Sequence, residues 1–228
     1  FKRMTASSAY MVNALFGVIL VLTAGIAVLL ISPADLLSQG MEETGITMQM
    51  LIPLVPLVLY FVLGMAAVTV IAPSIEGKNY WIVQSRPIDP NDDCKGKALF
   101  SLAVMLPVGL FSVFTVSLAL KAGWMDLLLN LAMMGALCLF AATYGLYCGY
   151  RHRNLDWEYE IEVIKQGPAL MWYMFPNMVM TIILISMMFG LGMQMNLTFI
   201  QLVLILILCL ASWLFWKRAV KTAQKLKD

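Results

Sequence analysis

Long apolar stretches alternate with short polar ones along the whole chain. A helix needs about 20 mostly apolar residues to cross the roughly 30 Å hydrocarbon core of a bilayer. Six stretches reach that length: 9–32, 49–73, 98–120, 125–150, 168–190 and 196–216. Their apolar residues do not alternate with polar ones, as they would in the strands of a membrane barrel. We therefore predict an all-α polytopic membrane protein with six transmembrane helices, forming a single transmembrane domain over residues 1–228.

The composition agrees with this pattern. The chain is 61% hydrophobic and 12% charged, with a mean hydropathy of +0.85, whereas soluble domains are about half apolar and a quarter charged. We expect the lipid bilayer to be a partner. The small net charge of +2 gives no reason to expect a nucleic-acid partner.

The basic residues are distributed unevenly between the two sides of the predicted bundle. Of the 15 lysines and arginines, all except Lys121 lie at the termini or in the segments 74–97, 151–167 and 217–227. Basic residues near span ends favour the cytoplasmic side. Both termini are therefore predicted to be cytoplasmic.

Ionisable residues inside a membrane are costly and usually functional. None lies deep in a predicted span; Asp126 is at an edge, and the single histidine, His152, falls in a cytoplasmic basic cluster. We expect no catalytic, cofactor-binding or metal-binding residues, and this absence disfavours a membrane-embedded lipid enzyme. The four cysteines have no metal-like spacing and are expected to be free thiols: Cys94, Cys138, Cys148 and Cys209.

Neutral residues in the spans predict how the helices pack. Gly145 and Gly149 form a GxxxG pattern, which permits close helix approach. Prolines within spans remove a backbone hydrogen bond and can kink a helix; they are Pro53, Pro56, Pro107 and Pro176. The amides within the spans are expected to hydrogen-bond between helices: Asn13, Asn130, Asn177 and Gln201.

The first long cytoplasmic segment predicts a short helix between spans two and three. Ser74 is a candidate cap for this helix, and Pro87 would end it, because the residue before a proline avoids helical angles. Asp89 and Pro90 then supply a new cap and first helical residue leading into span three. The phosphate-loop pattern GxxxxGK[ST] is absent, so the chain is not expected to bind ATP itself.

The second cytoplasmic segment, 151–167, is acidic in its first half. Glu162 and Lys165 are spaced as an i,i+3 pair on a predicted short helix, and Gly167 and Pro168 interrupt the chain before span five. Two interpretations stay open: a solvated helix beside the membrane, or a second docking surface.

Three segments are similar to the permease subunit of bacterial ABC exporters of the ABC-2 type, in particular to its C-terminal half. "SSAYMVNALFG" (7–17) is similar to the family's Ser-Pro-x-Tyr-x-x-Asn entry into a span, without its proline. "SIEGKNYWIVQSRPI" (74–88) is similar to its Ser-x-Glu-Gly-Lys-x-x-Trp pattern followed by Ser-x-Pro-Ile. "LDWEYEIEVIKQG" (155–167) is similar to its Asp-Trp-Glu…Lys-Gln-Gly stretch.

The resemblance implies a division of labour. A separate ABC ATPase subunit would bind ATP and Mg, and would act on the spans through a short cytoplasmic coupling helix. The implied ATPase-coupling contact is Glu76, Gly77, Lys78, Tyr80, Trp81, Ser85 and Pro87, with a possible second contact at Trp157, Glu158 and Lys165. A second permease half or copy would complete the transporter in the bacterial plasma membrane.

The expected function is therefore outward movement of a hydrophobic or peptide-like substrate, driven by ATP hydrolysis in the partner. The alternative is a non-transporting membrane component, such as an immunity or sensor protein that docks an ATPase. The substrate is not encoded in any motif of the chain.

Overall fold

The structure is a computed structural model, and it describes residues 8–30, 48–66, 68–75, 77, 89–165, 167–192 and 195–226. The regular structure in these ranges is helical throughout. In chain order it comprises α1 (Ser8–Leu30), α2 (Met48–Leu51), a 3-10 turn (Ile52–Leu54), α3 (Val55–Leu63), α4 (Val68–Ile75), α5 (Pro90–Ala119), α6 (Trp124–Arg151), α7 (Glu160–Lys165), α8 (Pro168–Gly192) and α9 (Leu197–Lys225).

Five helical segments among the described residues are long and apolar enough to cross a membrane. They are Gln49–Ile75, Pro90–Ala119, Trp124–Arg151, Ile161–Gly192 and Leu197–Lys225. The first predicted span corresponds to α1, which has a shorter apolar stretch at Leu15–Leu30. The all-helical, multi-pass prediction is confirmed, whereas the sixth span and the orientation of the termini stay predictions.

Helix α6 is the central element of the bundle and packs against α9, α5, α4 and α8. Its inner residues Met133, Met134 and Leu137 are completely buried. Large side chains on α8 and α9 instead point outward, as Phe175 (74% exposed) and Leu206 (64% exposed) illustrate. Because burial of apolar surface from water drives packing in soluble proteins, such outward apolar faces are typical of helices that contact lipid.

Two glycines bring α6 close to α4, as the GxxxG pattern predicted. A Cβ added to Gly149 would lie 2.6 Å from the carbonyl oxygen of Val70 and 3.1 Å from the ring of Pro73. A Cβ on Gly145 would collide with the hydroxyl of Thr69. The two helices approach at these positions because neither glycine carries a side chain.

The start of α5 is the one the sequence predicted. The carboxylate of Asp89 accepts a hydrogen bond from the backbone N–H of Asn91 at 3.0 Å, and Pro90 is the first helical residue. This helix begins eight positions before the predicted span at 98, because the cap and not the hydropathy defines its start. At its other end Lys121 takes a positive φ of 56°, and the N–H of Ala122 donates to the carbonyl of Ser117 at 3.0 Å, which closes the helix as a Schellman motif.

The predicted span over 49–73 is not one continuous helix. Pro53 and Pro56 lie at the starts of the 3-10 turn and α3, and the helix is interrupted again at Gly64–Ala66 before α4 begins. In contrast, Pro107 and Pro176 lie inside the continuous helices α5 and α8. Pro53 and Pro56 therefore start helical segments, and the main interruption falls at a glycine.

Candidate functional site

Two of the segments that carry the resemblance, those beginning at Ser74 and before α7, meet at the end of α4. The indole N–H of Trp157 donates to the main-chain carbonyl of Ser74 at 2.8 Å. The backbone N–H of Asn154 donates to the Ser74 hydroxyl at 3.2 Å. We call this meeting of Ser74, Gly77, Asn154 and Trp157 the loop junction.

Gly77 is required at the loop junction for two separate reasons. Its φ is +50°, a left-handed conformation that glycine adopts without steric cost. The six-membered part of the Trp157 indole also lies 2.8 Å from where a Cβ on Gly77 would be. The close approach of the indole depends on the missing side chain.

The structure corrects the predicted start of the coupling helix. Ser74 does not cap a new helix; it lies in the last turn of α4, which continues from span two to Ile75. Gly77, with its left-handed φ, is the second residue after the last residue of α4, a position at which glycine commonly terminates helices.

The predicted contact residues divide into four groups. Gly77 and Trp157 are brought together, and Glu158 is exposed in the bend that follows Trp157. Lys165 is the last residue of α7, which confirms a short helix in this segment, but its side chain is outside the described part. The remaining predicted contacts also lie outside the described residues: Glu76, Lys78, Tyr80, Trp81, Ser85 and Pro87.

Trp157 connects the loop junction to the helix core beneath it. Its side chain packs at the edge of a buried apolar cluster that includes Ile71 of α4, Ile164 of α7 and Tyr173 of α8. Ile71 is 2% exposed and Ile164 is completely buried. A displacement of the junction would therefore be passed to α4, α7 and α8 together, because close-packed interiors transmit strain.

The surface beside the loop junction combines acidic and apolar side chains. Asp156, Glu158 and Glu162 are exposed, and so are Tyr159 (68%) and Ile161 (47%). A local turn precedes these residues, in which the backbone N–H of Asp156 donates a hydrogen bond to the side-chain oxygen of Asn154 at 3.1 Å. Exposed apolar groups rimmed by charges are typical of protein-contact surfaces.

His152 is the cap residue that follows the last residue of α6, Arg151. Its imidazole stacks on the indole of Trp172 with ring centroids 5.2 Å apart. Partial burial, and secondarily the positive charge of Arg151, lower the pKa of His152 below its usual 6.5. The neutral imidazole is therefore favoured near pH 7, in keeping with a packing role.

Inside the bundle, a buried polar cluster surrounds the interruption of span two. The hydroxyl of Tyr173 donates to the carbonyl of Gly64 at 3.0 Å, and the Tyr60 hydroxyl donates to the amide oxygen of Asn177 at 2.9 Å. The side-chain amide of Asn177 also points to the Gly64 carbonyl at 3.5 Å. Interrupted helices are tolerated in membranes where neighbouring side chains satisfy the freed backbone groups, and α8 supplies those side chains here.

A second buried polar cluster joins α5, α6 and α9. The Asn130 amide nitrogen donates to the carbonyl of Ile52 at 3.0 Å and to the Ser117 hydroxyl at 3.2 Å. The Gln201 amide donates to the Asn130 side-chain oxygen at 2.9 Å. The prediction of interhelical hydrogen bonds is confirmed for Asn130, Asn177 and Gln201, whereas the side chain of Asn13 is outside the described part.

Neither polar cluster contains a carboxylate or an imidazole. Among the described residues, no group of three histidine, cysteine, aspartate or glutamate side chains is placed to hold a metal ion. The four thiols are free, with Cys94, Cys138 and Cys148 buried and Cys209 exposed. The side chains that are present can bind by hydrogen bonding and can hold helices together.

The sequence showed the segments of this site but not their pairing. Ser74 and Trp157 are 83 residues apart, and no sequence pattern in either segment predicts that the two segments are in contact. The interruption at Gly64 was also missed, because the Gly-Met-Ala triplet carries no polar side chain and does not end the apolar stretch. Comparisons with protein-family models, with curated proteins and with solved structures return no match.

Proposed function

We propose that this chain is the membrane-spanning permease subunit of an ATP-driven exporter, and that its partner ATPase contacts the loop junction and the residues that follow it. The observation that carries the proposal is the hydrogen bond between Trp157 and Ser74, which joins two segments of the sequence resemblance at one place. ATP and Mg would bind to the partner, and no catalytic residue is assigned to this chain.

Three further properties support this division of labour. The spans carry hydrogen-bonding clusters but no deep ionisable group, so transport through the bundle would need an external source of energy. The exposed Tyr159 and Ile161 lie beside acidic residues next to the junction, which suits a partner with a mixed apolar and basic surface. The packing of Trp157 against α4, α7 and α8 gives the partner a mechanical route to several helices.

We propose that the interruption of span two is the part of the bundle that changes conformation during transport. A break near the middle of a membrane helix is a recurrent feature of transporter substrate paths. Here Tyr60, Tyr173 and Asn177 bridge the break to α8. We propose that motion at the loop junction, ten positions or more along the chain from Gly64, alters this bridge during the transport cycle.

The orientation forms part of the proposal. We place both termini in the cytoplasm of a bacterial plasma membrane because the basic residues are concentrated on that side. A fluorescent protein fused after Asp228 should fluoresce, and alkaline phosphatase inserted at Gly123 should be active. A dark carboxyl-terminal fusion combined with inactive phosphatase at Gly123 would overturn this orientation.

The function is tested by purifying the tagged chain from its native membranes and measuring vanadate-sensitive ATP hydrolysis. We expect an ATPase to copurify and to hydrolyse ATP in liposomes, with hydrolysis stimulated by the transported substrate. An ATPase that copurifies but is unaffected by any hydrophobic or peptide substrate would favour the non-transporting alternative. Absence of any associated ATP hydrolysis would contradict both.

A further inference from the structure

A groove opens between α5, α6 and α9 on the surface of the bundle. Its volume is about 470 Å³, within the usual range of about 300–1,000 Å³ for small-molecule sites. The walls include Leu99 and Leu102 of α5, Leu139 of α6, and Cys209, Trp213 and Trp216 of α9. Leu99 is 65% exposed and Trp213 is 54% exposed, so the groove opens sideways to the surroundings of the bundle.

The interior of the groove offers almost no polar contact. Its two hydroxyl side chains, Thr143 and Ser212, donate their protons within their own helices. Thr143 donates to the carbonyl of Leu139 at 2.9 Å, and Ser212 donates to the carbonyl of Leu208 at 2.6 Å. A molecule in the groove must therefore present an apolar segment to these walls, because burying a polar group without a partner is unfavourable.

Two lysines lie in the groove lining or against it. Lys95 belongs to the lining, and its only described acidic contact is an exposed ion pair with Asp92 at 2.9 Å. Lys217 lies over the ring of the lining residue Trp213, with its ammonium 3.6 Å from the ring centroid. Because exposed ion pairs contribute little, Lys95 can exchange Asp92 for another anion.

The position of the groove matches a membrane–water boundary. Lys95 is in the second turn of α5, and Trp213, Trp216 and Lys217 precede the basic end of α9. Tryptophan and lysine are typical of the headgroup level of membrane helices, and basic pockets between such helices bind anionic headgroups. From Cys209 to Trp216 the groove follows about 10 Å of helix, which is shorter than one leaflet of about 15 Å.

We propose that this groove binds an anionic phospholipid, with the upper part of one acyl chain between α5 and α9 and the phosphate between Lys95 and Lys217. The apolar walls contact the acyl chain, the ammonium groups of Lys95 and Lys217 bind the phosphate, and Trp213 and Trp216 pack beside the glycerol region. This site is separate from the loop junction and does not depend on the proposed export function.

Cys209 provides a reporter inside the groove. It is exposed and lines the site, whereas Cys94, Cys138 and Cys148 are buried. The rate at which pyrene maleimide modifies the purified, detergent-solubilised chain therefore measures access to the groove. Cys209→Ser identifies the modification that belongs to this thiol.

We expect added phosphatidylglycerol to slow the modification of Cys209 about ten-fold more than phosphatidylcholine does, since each lysine contributes a favourable interaction with the anionic headgroup. The paired variant Lys95→Gln with Lys217→Gln should abolish the difference between the two lipids. Lys221→Gln with Lys225→Gln removes the same charge from the same end of the bundle, outside the groove lining, and should preserve the difference. Native mass spectrometry should show a retained phosphatidylglycerol in the parent chain and in this control pair only.

Three results would overturn the proposal. Equal protection by both lipids would mean that the groove takes any lipid tail without recognising the phosphate. Equal loss of selectivity in both lysine pairs would mean that general surface charge is responsible. Protection that rises with protein concentration in the absence of lipid would identify a second copy of the chain as the occupant.

Discussion

Trp157 donates its indole N–H to the carbonyl oxygen of Ser74, 83 residues away in the chain, at 2.8 Å. That carbonyl belongs to the last turn of α4, where backbone acceptors have no partner within the helix. The Trp157 side chain, which comes from the segment before α7, therefore provides a hydrogen-bond donor for a backbone carbonyl at the end of span two. Two loops that look independent in sequence are one structural unit.

Replacing Trp157 should loosen both loops at once. Trp157→Phe keeps an aromatic ring but removes the donor, and should cost about 1 kcal/mol, the usual net value of a hydrogen bond. Hydrogen–deuterium exchange should increase in peptides covering 68–77 as well as in those covering 153–159. Trp213→Phe, at an exposed position on α9, is the matched control and should leave both peptides unchanged; an increase confined to 153–159 would contradict the junction.

Gly77 and Trp157 should be energetically coupled. Gly77→Ala adds a methyl group against the indole and places alanine in a left-handed conformation, which alone costs about 1–2 kcal/mol. In a Trp157→Ala background the steric part disappears, so the same substitution should cost less there than in the parent chain. The measurement is a double-mutant cycle of unfolding free energies in mixed micelles; strictly additive effects would argue against the observed contact.

The approach of α6 to α4 should depend on Gly145 and Gly149 but not on Gly135. Gly149→Leu would press on the Val70 carbonyl and the Pro73 ring, and overpacking of this kind costs about 1–3 kcal/mol. Gly135 lies on the same helix with nothing within 4 Å of its added Cβ. Gly135→Ala should be neutral or stabilising by up to about 1 kcal/mol, as measured by the thermal midpoint in detergent.

The pair Tyr60 and Asn177 should stabilise the interruption of span two. Tyr60→Phe removes a buried donor to the Asn177 amide, and membrane hydrogen bonds of this kind average about 0.6 kcal/mol. Asn177→Leu should cost more, because it also removes the amide beside the Gly64 carbonyl and must fit its branched side chain against the Gly64 backbone. Phe175→Leu, an exposed position on the same helix, serves as the control and should have little effect on the unfolding free energy.

Local signals predicted much of this fold. Asp89 and Pro90 define the start of α5 because capping depends on neighbouring residues. Gly145 and Gly149 indicated close packing, and Asn130, Asn177 and Gln201 indicated buried hydrogen bonds, because a polar group in an apolar span needs a partner. These features can be inferred without knowing which distant residue each side chain contacts.

The features that were missed depend on which distant segments meet. Ser74 was interpreted as a helix cap from its local sequence, but its hydroxyl and carbonyl bond to Asn154 and Trp157. The interruption at Gly64 is stabilised by Tyr173 and Asn177, more than 100 positions later. Such pairings follow from the packing of α4, α6 and α8, which a single sequence does not specify.

Photo-crosslinking would reveal directly whether an ATPase docks at the loop junction. Benzoyl-phenylalanine replaces Trp81 or Tyr159 in the full chain, and membranes from the native host are irradiated and labelled with azido-ATP. Phe199, which is 57% exposed at the start of α9, is the control position for a lipid-facing site. We predict an ATP-labelled adduct from positions 81 and 159 and none from 199; no labelled adduct from either test position, or the same adduct from all three, would contradict the proposed contact.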